Sequence, residues 1–183
     1  MKKTSQLILK IAGWKGVVST DEPLKSVICV APHTSNWDFI IGKLFYWSLD
    51  RKTSFLMKKS WFFFPMGYLF RAMNGIPIDR SKKNSVVEQM IEEFAKRDKM
   101  HLAITPEGTR KLNNKWRLGF YHIAVGAKVP IQLAYINFQK KEMGITEVFY
   151  PTGDENSDLK HIYDFYRKNA GPKFSERFAI PEN

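Results

Sequence analysis

Short apolar runs alternate with segments of helical periodicity along most of the chain, and this alternation limits the folds open to it. Strands are predicted at 26–31, 53–57, 75–79, 100–105, 130–137 and 145–149. Helices are predicted at 36–49, 85–97, 118–127 and 157–169. A strand followed by a helix and then by another strand is typical of a parallel sheet with helices packed on its faces. The sequence therefore predicts an α/β fold, a single layered domain with a largely parallel sheet flanked by helices.

Two of these helices carry N-terminal signals. Ser85 and Glu88 match a capping box, in which each side chain bonds the other residue's backbone N–H. Apolar residues then recur at helical spacing through 86–95. For the last helix, Asn156 or Ser157 is the expected N-cap residue.

Length and cysteine usage limit the organisation of the chain. The 183 residues suffice for one well-buried core and are too few for two comfortable domains. We therefore expect a single domain over 1–183, with its motifs in a core at 27–136. Cys29 is the one cysteine, which excludes an internal disulfide and fits a reducing compartment. Because it lies within an apolar strand, it is expected to be a buried structural thiol.

The positive charge is unevenly distributed. The chain carries a formal net charge of +11, and residues 1–138 alone carry +12. Such a field attracts anions such as nucleic acid, anionic lipid headgroups, phosphorylated substrates or acidic carrier proteins. A basic, soluble surface is the simpler explanation of part of it. No recognised nucleic-acid motif accompanies the charge, so we expect no nucleic-acid partner.

Three apolar segments fit either the core or a membrane surface. In residues 1–16, Leu7, Ile8, Ile11 and Trp14 form one apolar helical face edged by lysines, which suits an interfacial helix or a core-facing first helix equally. The stretch 61–73 and the helical segment 39–49 are similarly ambiguous. No spanning or targeting segment is expected, since Lys10 and Pro65 interrupt the apolar runs.

A histidine and an aspartate follow the first predicted strand. His33 and Asp38 are five positions apart, so they meet only if the chain bends between them. Thr34, Ser35 and Asn36 are residue types that end strands and cap helices. A carboxylate that holds one imidazole nitrogen fixes the tautomer and leaves the other nitrogen as a general base. The alternative is a surface histidine beside a helix-starting aspartate.

Three further motifs also stand at strand ends or starts. They are Gly75-Ile76-Pro77-Ile78-Asp79-Arg80, Thr105-Pro106-Glu107-Gly108-Thr109-Arg110 and Val129-Pro130-Ile131. His33, Arg80 and Glu107 each follow a predicted strand directly. Ligands of parallel sheets bind beyond the carboxyl ends of the strands, so these residues are expected to open onto one crevice.

The order and spacing of these blocks resemble the glycerolipid acyltransferase family, which includes the 1-acyl-glycerol-3-phosphate acyltransferases of phospholipid synthesis. The resemblance implies that His33 is the catalytic base and that Asp38 orients it. It implies that Lys58 and Arg80 bind the acceptor phosphate. It places the acceptor site also at the third block, formed by Glu107, Gly108, Thr109 and Arg110. The alternative is that Glu107 and Arg110 pair with each other and support the loop. Arg117 and Lys111 add positive charge that suits the phosphates of a donor.

The reaction implied is transfer of a fatty acyl group from acyl-coenzyme A or acyl carrier protein to lysophosphatidic acid or a related lysolipid. No metal or bound cofactor is called for, and the expected location is the cytoplasmic face of the cell membrane, on an anionic surface. Pro32, Lys111 and Leu133 depart from the family's usual Asn, Ser and Pro. Another lysophospholipid or an amino-acid lipid therefore remains open as the acceptor. A non-catalytic lipid-binding role is a further alternative, and the intact His33, Asp38, Arg80 and Glu107 argue against it.

Overall fold

One mixed sheet organises the molecule. The computed structural model describes residues 1–79 and 85–182, and within them the strands are β1 (Lys15–Val18), β2 (Lys25–Ala31), β3 (Ser54–Lys58), β4 (Gly75–Ile78), β5 (Met100–Ile104), β6 (Ile131–Asn137) and β7 (Glu142–Phe149). The helices are α1 (Lys2–Ile11), α2 (Asn36–Ser48), α3 (Met66–Ala72), α4 (Val86–Ala95), α5 (Gly119–Ala127) and α6 (Glu155–Asn169). Short 3-10 helices lie at Lys59–Trp61 and Ser175–Arg177.

The strand order is β1-β7-β6-β2-β5-β3-β4. The five strands from β6 to β4 are parallel, while β7 is antiparallel to β6 and β1 is parallel to β7. Strands β1 and β7 therefore run against the other five. The predicted α/β fold with a largely parallel sheet flanked by helices is confirmed.

Helices cover both faces of the sheet, which explains why its central strands are apolar almost throughout. Helices α1 and α2 cover one side, here called the α2 face, where Ile28, Phe45 and Ile136 pack together. Helices α4, α5 and α6 cover the other side, the α5 face, where Leu102 and Phe120 belong to the larger core cluster. Successive residues of one strand alternate between these two faces.

Several local predictions can be compared with the structure. The Ser85–Glu88 capping box is confirmed at the start of α4. The N-cap of α6 is Asp154, whose side chain accepts from the Ser157 N–H, so the prediction of Asn156 or Ser157 was wrong. Strand β1 and helix α3 were not predicted. Strand β7 begins at Glu142, three residues before the predicted start.

The first helix divides its apolar residues between the core and the surface. Leu9 and Ser5 are buried, while Leu7, Ile8 and Ile11 are exposed. Trp14 lies beyond the end of α1 and packs edge-to-face on Phe138. The predicted single face containing Trp14 was therefore wrong, because the chain leaves the helix before Trp14.

Candidate active site

His33 and Asp38 face each other at the carboxyl end of β2. His33 Nδ1 lies 3.6 Å from Asp38 Oδ2, and the two side chains are 19% and 2% exposed. Because Nδ1 faces the carboxylate, Nε2 is the ring nitrogen left for a substrate. The chain does bend between the two residues, as their spacing required.

Backbone N–H groups and the start of α2 fix the Asp38 carboxylate. Its Oδ2 accepts from the backbone N–H groups of Thr34 and Ser35, each at 2.6 Å, and Oδ1 accepts from Ser35 Oγ at 3.0 Å. Ser35 is the N-cap of α2 and Asp38 its third residue, so the same carboxylate completes a capping box. These bonds hold the aspartate in one position beneath the imidazole.

Glu107 supports the histidine from the neighbouring strand. β5 lies beside β2 in the sheet, and Glu107 Oε1 accepts from the His33 backbone N–H at 2.7 Å. The residue is 2% exposed, and Oε2 is buried without a hydrogen-bond partner among the residues described. Burial raises the pKa of the Glu107 carboxyl from 4.5 to about 7, and bonding from His33 opposes this only in part. The carboxyl therefore holds the histidine loop from inside the protein.

The rest of the third block forms the rim of the site. Gly108 has φ +63° and would place a β-carbon 2.7 Å from Arg117 Cδ, so the Arg117 side chain lies directly over it. The Arg117 N–H donates to the Pro106 carbonyl at 2.7 Å, which closes this loop. Thr109 Oγ1 accepts from the Lys111 N–H, and Arg110 is exposed.

Lys58, the predicted phosphate ligand, and its neighbour Lys59 have different surroundings. Lys59 Nζ bonds Asp79 Oδ2 at 2.8 Å. Lys58 is the last residue of β3 and is exposed. Arg80, the other predicted phosphate ligand, lies outside the described residues. Lys58 is therefore the better placed of the two lysines to meet an anion.

A cavity of about 640 Å³ opens beside His33. His33, Asp38, Gly108 and Arg117 stand among its lining residues, and most of the others are apolar. This size and polarity are typical of a site for a mainly apolar ligand. The structure thus brings His33, Asp38 and Gly108 to one cavity, with Glu107 directly behind the histidine.

Sequence reasoning did not identify the walls of this cavity. They include Val86 and Val87 of α4, Ile136 of β6 and two glycines, Gly42 and Gly119. A β-carbon at either glycine would meet no atom within 4 Å. Gly42 was a sequence signal of this cavity, because glycine destabilises a helix interior and often has a packing or functional reason there.

Cys29 takes no part in the site. It is fully buried, and its carbonyl accepts from the Tyr166 hydroxyl at 2.6 Å. Burial raises the pKa of the Cys29 thiol far above its usual range, which keeps it protonated and unreactive. The predicted buried structural thiol is confirmed.

The class of protein follows from the fold and from comparison with known sequences. An α/β sheet carries a histidine–aspartate pair at its carboxyl edge, and the profile of the Acyltransferase family matches residues 17–137. The chain belongs to the acyltransferase family. It resembles the lysophosphatidic acid acyltransferases, which are the 1-acyl-glycerol-3-phosphate acyltransferases that the sequence motifs indicated.

A solved structure shares the fold. The crystal structure of the 1-acyl-sn-glycerophosphate (LPA) acyltransferase PlsC from Thermotoga maritima aligns with 91% of this chain and 75% of that one, with a TM-score of 0.64 and 19% identity. No curated protein gives a significant sequence match. Within 1–79 and 85–182, no helix combines the length and apolarity needed to cross a bilayer.

Proposed function

We propose that this protein is an O-acyltransferase that moves a fatty acyl group from a thioester to the free hydroxyl of lysophosphatidic acid or a related lysolipid. The donor is acyl-coenzyme A or acyl carrier protein. The observation that carries the proposal is the His33–Asp38 pair at the mouth of a large apolar cavity, in a member of the acyltransferase family.

The proposed reaction is direct transfer without an enzyme-bound intermediate. His33 Nε2 takes the hydroxyl proton while the hydroxyl oxygen attacks the thioester carbonyl carbon. The new C–O bond forms as the carbonyl becomes an oxyanion, and the C–S bond then breaks. The imidazolium returns its proton to the departing thiolate. Asp38 stabilises the imidazolium, and Glu107 positions the His33 backbone.

Cationic side chains around the cavity suit a phosphorylated acceptor. Arg117 lines the opening, and Lys58 stands at the end of β3. A guanidinium binds phosphate through two parallel hydrogen bonds, whereas an ammonium acts as a point charge. We assign the acceptor phosphate to these two residues with Arg80. Arg117, which was predicted to meet the phosphates of the donor, is assigned to the acceptor because it lines the same cavity as His33. Thr109 and Arg110 stay predicted contributors from the same loop.

The test of the base is a thiol-release assay with His33→Ala. Removal of a general base slows turnover by about 10²–10⁴-fold, and Asp38→Asn is expected to lower kcat as well. The control is His122→Ala, because His122 is a half-exposed histidine on α5 outside the cavity lining. Activity of His33→Ala within tenfold of the wild type would contradict the assignment.

We also assign a membrane-docking role to an exposed apolar rim, defined as Trp61, Phe63, Phe64, Tyr68 and Leu69. Each is at least half exposed, with Phe64 at 82%. The rim follows Lys58 and Lys59 at the carboxyl end of β3, the edge of the sheet on which His33 lies. Aromatic residues beside basic ones are typical of a membrane interface, and the surface charge favours anionic lipids. This supports a peripheral protein of the cytoplasmic membrane face.

The docking surface is tested by flotation with vesicles of anionic or zwitterionic phospholipid. Phe64→Ser is expected to weaken binding to anionic vesicles several-fold, because it removes a large apolar contact. Leu24→Ser is the control, since Leu24 is 71% exposed and precedes β2 at the opposite edge of the sheet. Equal loss in both variants, or binding unaffected by either, would count against this surface.

A further inference from the structure

The cavity beside His33 reaches both faces of the sheet. Phe55 and Leu56 are consecutive residues of β3, and both line it. Ala103 and Ile104 of β5 do the same. Because consecutive strand residues point to opposite faces, a cavity confined to one side of the sheet would not contact both members of such pairs. It therefore has two limbs.

The first limb lies between α2 and the sheet, and we call it the α2 limb. Its walls include Val30, Phe39, Gly42, Phe45, Tyr46 and Ile136. The cavity also touches Thr53, which precedes β3 at the amino edge of the sheet. This limb therefore spans the length of β3, five residues or roughly 16 Å at ~3.3 Å per residue. It is a channel with mostly apolar walls, and Lys43 is also among its lining residues.

The second limb lies between the sheet and helices α4 and α5, and we call it the α5 limb. Its walls are Leu56, Val86, Val87, Ile104, Phe120 and Ile123. Four of them, Leu56, Val86, Val87 and Ile104, are partly exposed and pack against the larger core cluster from its rim. This limb is therefore partly open to solvent at its rim.

The two limbs meet at the carboxyl edge of the sheet, where His33 and Gly108 line the same cavity. The cationic side chains at this edge of the sheet lie on the same side as the α5 limb. Leu56 points into that limb, and Lys58, two residues further along β3, points to the same face. Arg117 lies two residues before α5 and lines the cavity.

We propose that the limbs hold two different apolar chains at once. The α2 limb takes the acyl chain of the thioester donor, and the α5 limb takes the chain already carried by a lysolipid acceptor. The phosphate of that acceptor lies between Lys58 and Arg117, so its chain enters the limb beside them. His33 lies where the donor carbonyl and the acceptor hydroxyl meet. This inference rests on the proposed acyltransferase function and adds the site of the acceptor chain.

Two substitutions, each of which fills part of one limb, test the roles of the two limbs separately. Gly42→Leu adds a side chain in the α2 limb, where a β-carbon meets open space. Val87→Phe narrows the α5 limb, and Gly119→Val is its second variant should Val87→Phe fail to fold. Val125→Phe is the matched control, because Val125 is exposed on α5 and outside the cavity lining.

The assay measures kcat/KM by thiol release for every pairing of long- and short-chain acyl-coenzyme A with long- and short-chain lysophosphatidate. Gly42→Leu is expected to reduce the preference for the long donor by about tenfold or more and to leave acceptor preference unchanged. Val87→Phe is expected to reduce the preference for the long-chain acceptor and to leave donor preference unchanged. Val125→Phe is expected to change neither preference.

A shift of donor preference by Val87→Phe, or unchanged acceptor preference in both α5-limb variants, would overturn the proposal while leaving the enzyme assignment intact. An inactive wild type with every substrate pair is a different result, because it removes the proposed function itself. The wild-type rate therefore distinguishes the two failures.

Discussion

Replacement of Glu107 by glutamine is expected to change how the stability of the protein depends on pH. Burial raises the pKa of this carboxyl to about 7 in the folded protein, whereas an unfolded chain has the ordinary value of 4.5. Between these two values the folded state binds more protons than the unfolded state. The contribution of the Glu107 carboxyl to stability is thus complete below about pH 4.5, falls as pH rises, and is lost above about pH 7.

The magnitude follows from the pKa difference. Each pH unit between the two values weakens folding by ~1.4 kcal/mol, so the full loss is about 3 kcal/mol. Glu107→Gln removes this titration and keeps an amide oxygen to accept from the His33 N–H. The free-energy cost of burying the amide does not depend on pH, so it does not affect the difference between two pH values. Between about pH 5 and about pH 8 the wild type is therefore expected to lose ~2.5 kcal/mol relative to the variant.

The measurement is the free energy of unfolding from urea titrations of both proteins across this range. The control is Glu176→Gln, at an exposed position in the C-terminal 3-10 helix, which reports the effect of losing a surface carboxylate. Plots of the free energy of unfolding against pH that stay parallel within about 0.5 kcal/mol for wild type and Glu107→Gln would refute the reasoning. They would mean that the buried carboxyl does not titrate in this pH range.

Two further substitutions test the site and its walls. Gly108→Ala is expected to destabilise the protein by about 1–2 kcal/mol and to lower kcat/KM, because a β-carbon is strained at φ +63° and displaces Arg117; unchanged denaturation and kinetics would contradict this. Lys43 Nζ donates to the carbonyls of Thr53 and Met73 beside the α2 limb, and burial lowers the pKa of Lys43 to about 8. Wild-type stability is therefore expected to rise relative to Lys43→Met as pH increases from about 8 towards 10.5, and urea titrations that show no such divergence would count against it.

The parallel sheet and the His33–Asp38 pair were predictable because their signals are local. Apolar runs, capping residues and the turn-forming residues 34–36 each act within a few positions. Strand β1 was not, because Lys15–Val18 is mostly exposed and is held by pairing with β7, far along the chain. The direction of β7 depended on the short connection at 138–141, which permits an antiparallel hairpin.

The role of Glu107 and the shape of the cavity depended on strand order. Glu107 meets the His33 backbone only because β5 lies beside β2. The limbs are spaces left between elements distant in sequence, so no motif reports them. Gly42 alone hinted at one of them, through its unfavourable position inside a helix.

The central position of β2 also has a consequence for biosynthesis. Val27 pairs with Leu102 on one side and Ile131 on the other, so both neighbours of this strand are more than seventy residues away. A nascent chain leaving the ribosome exposes this apolar segment until much of the protein has been translated. Such distant pairing makes folding slow and leaves unpaired edges open to aggregation meanwhile. The strand that presents the histidine is thus among the first segments synthesised and among the last to be completed.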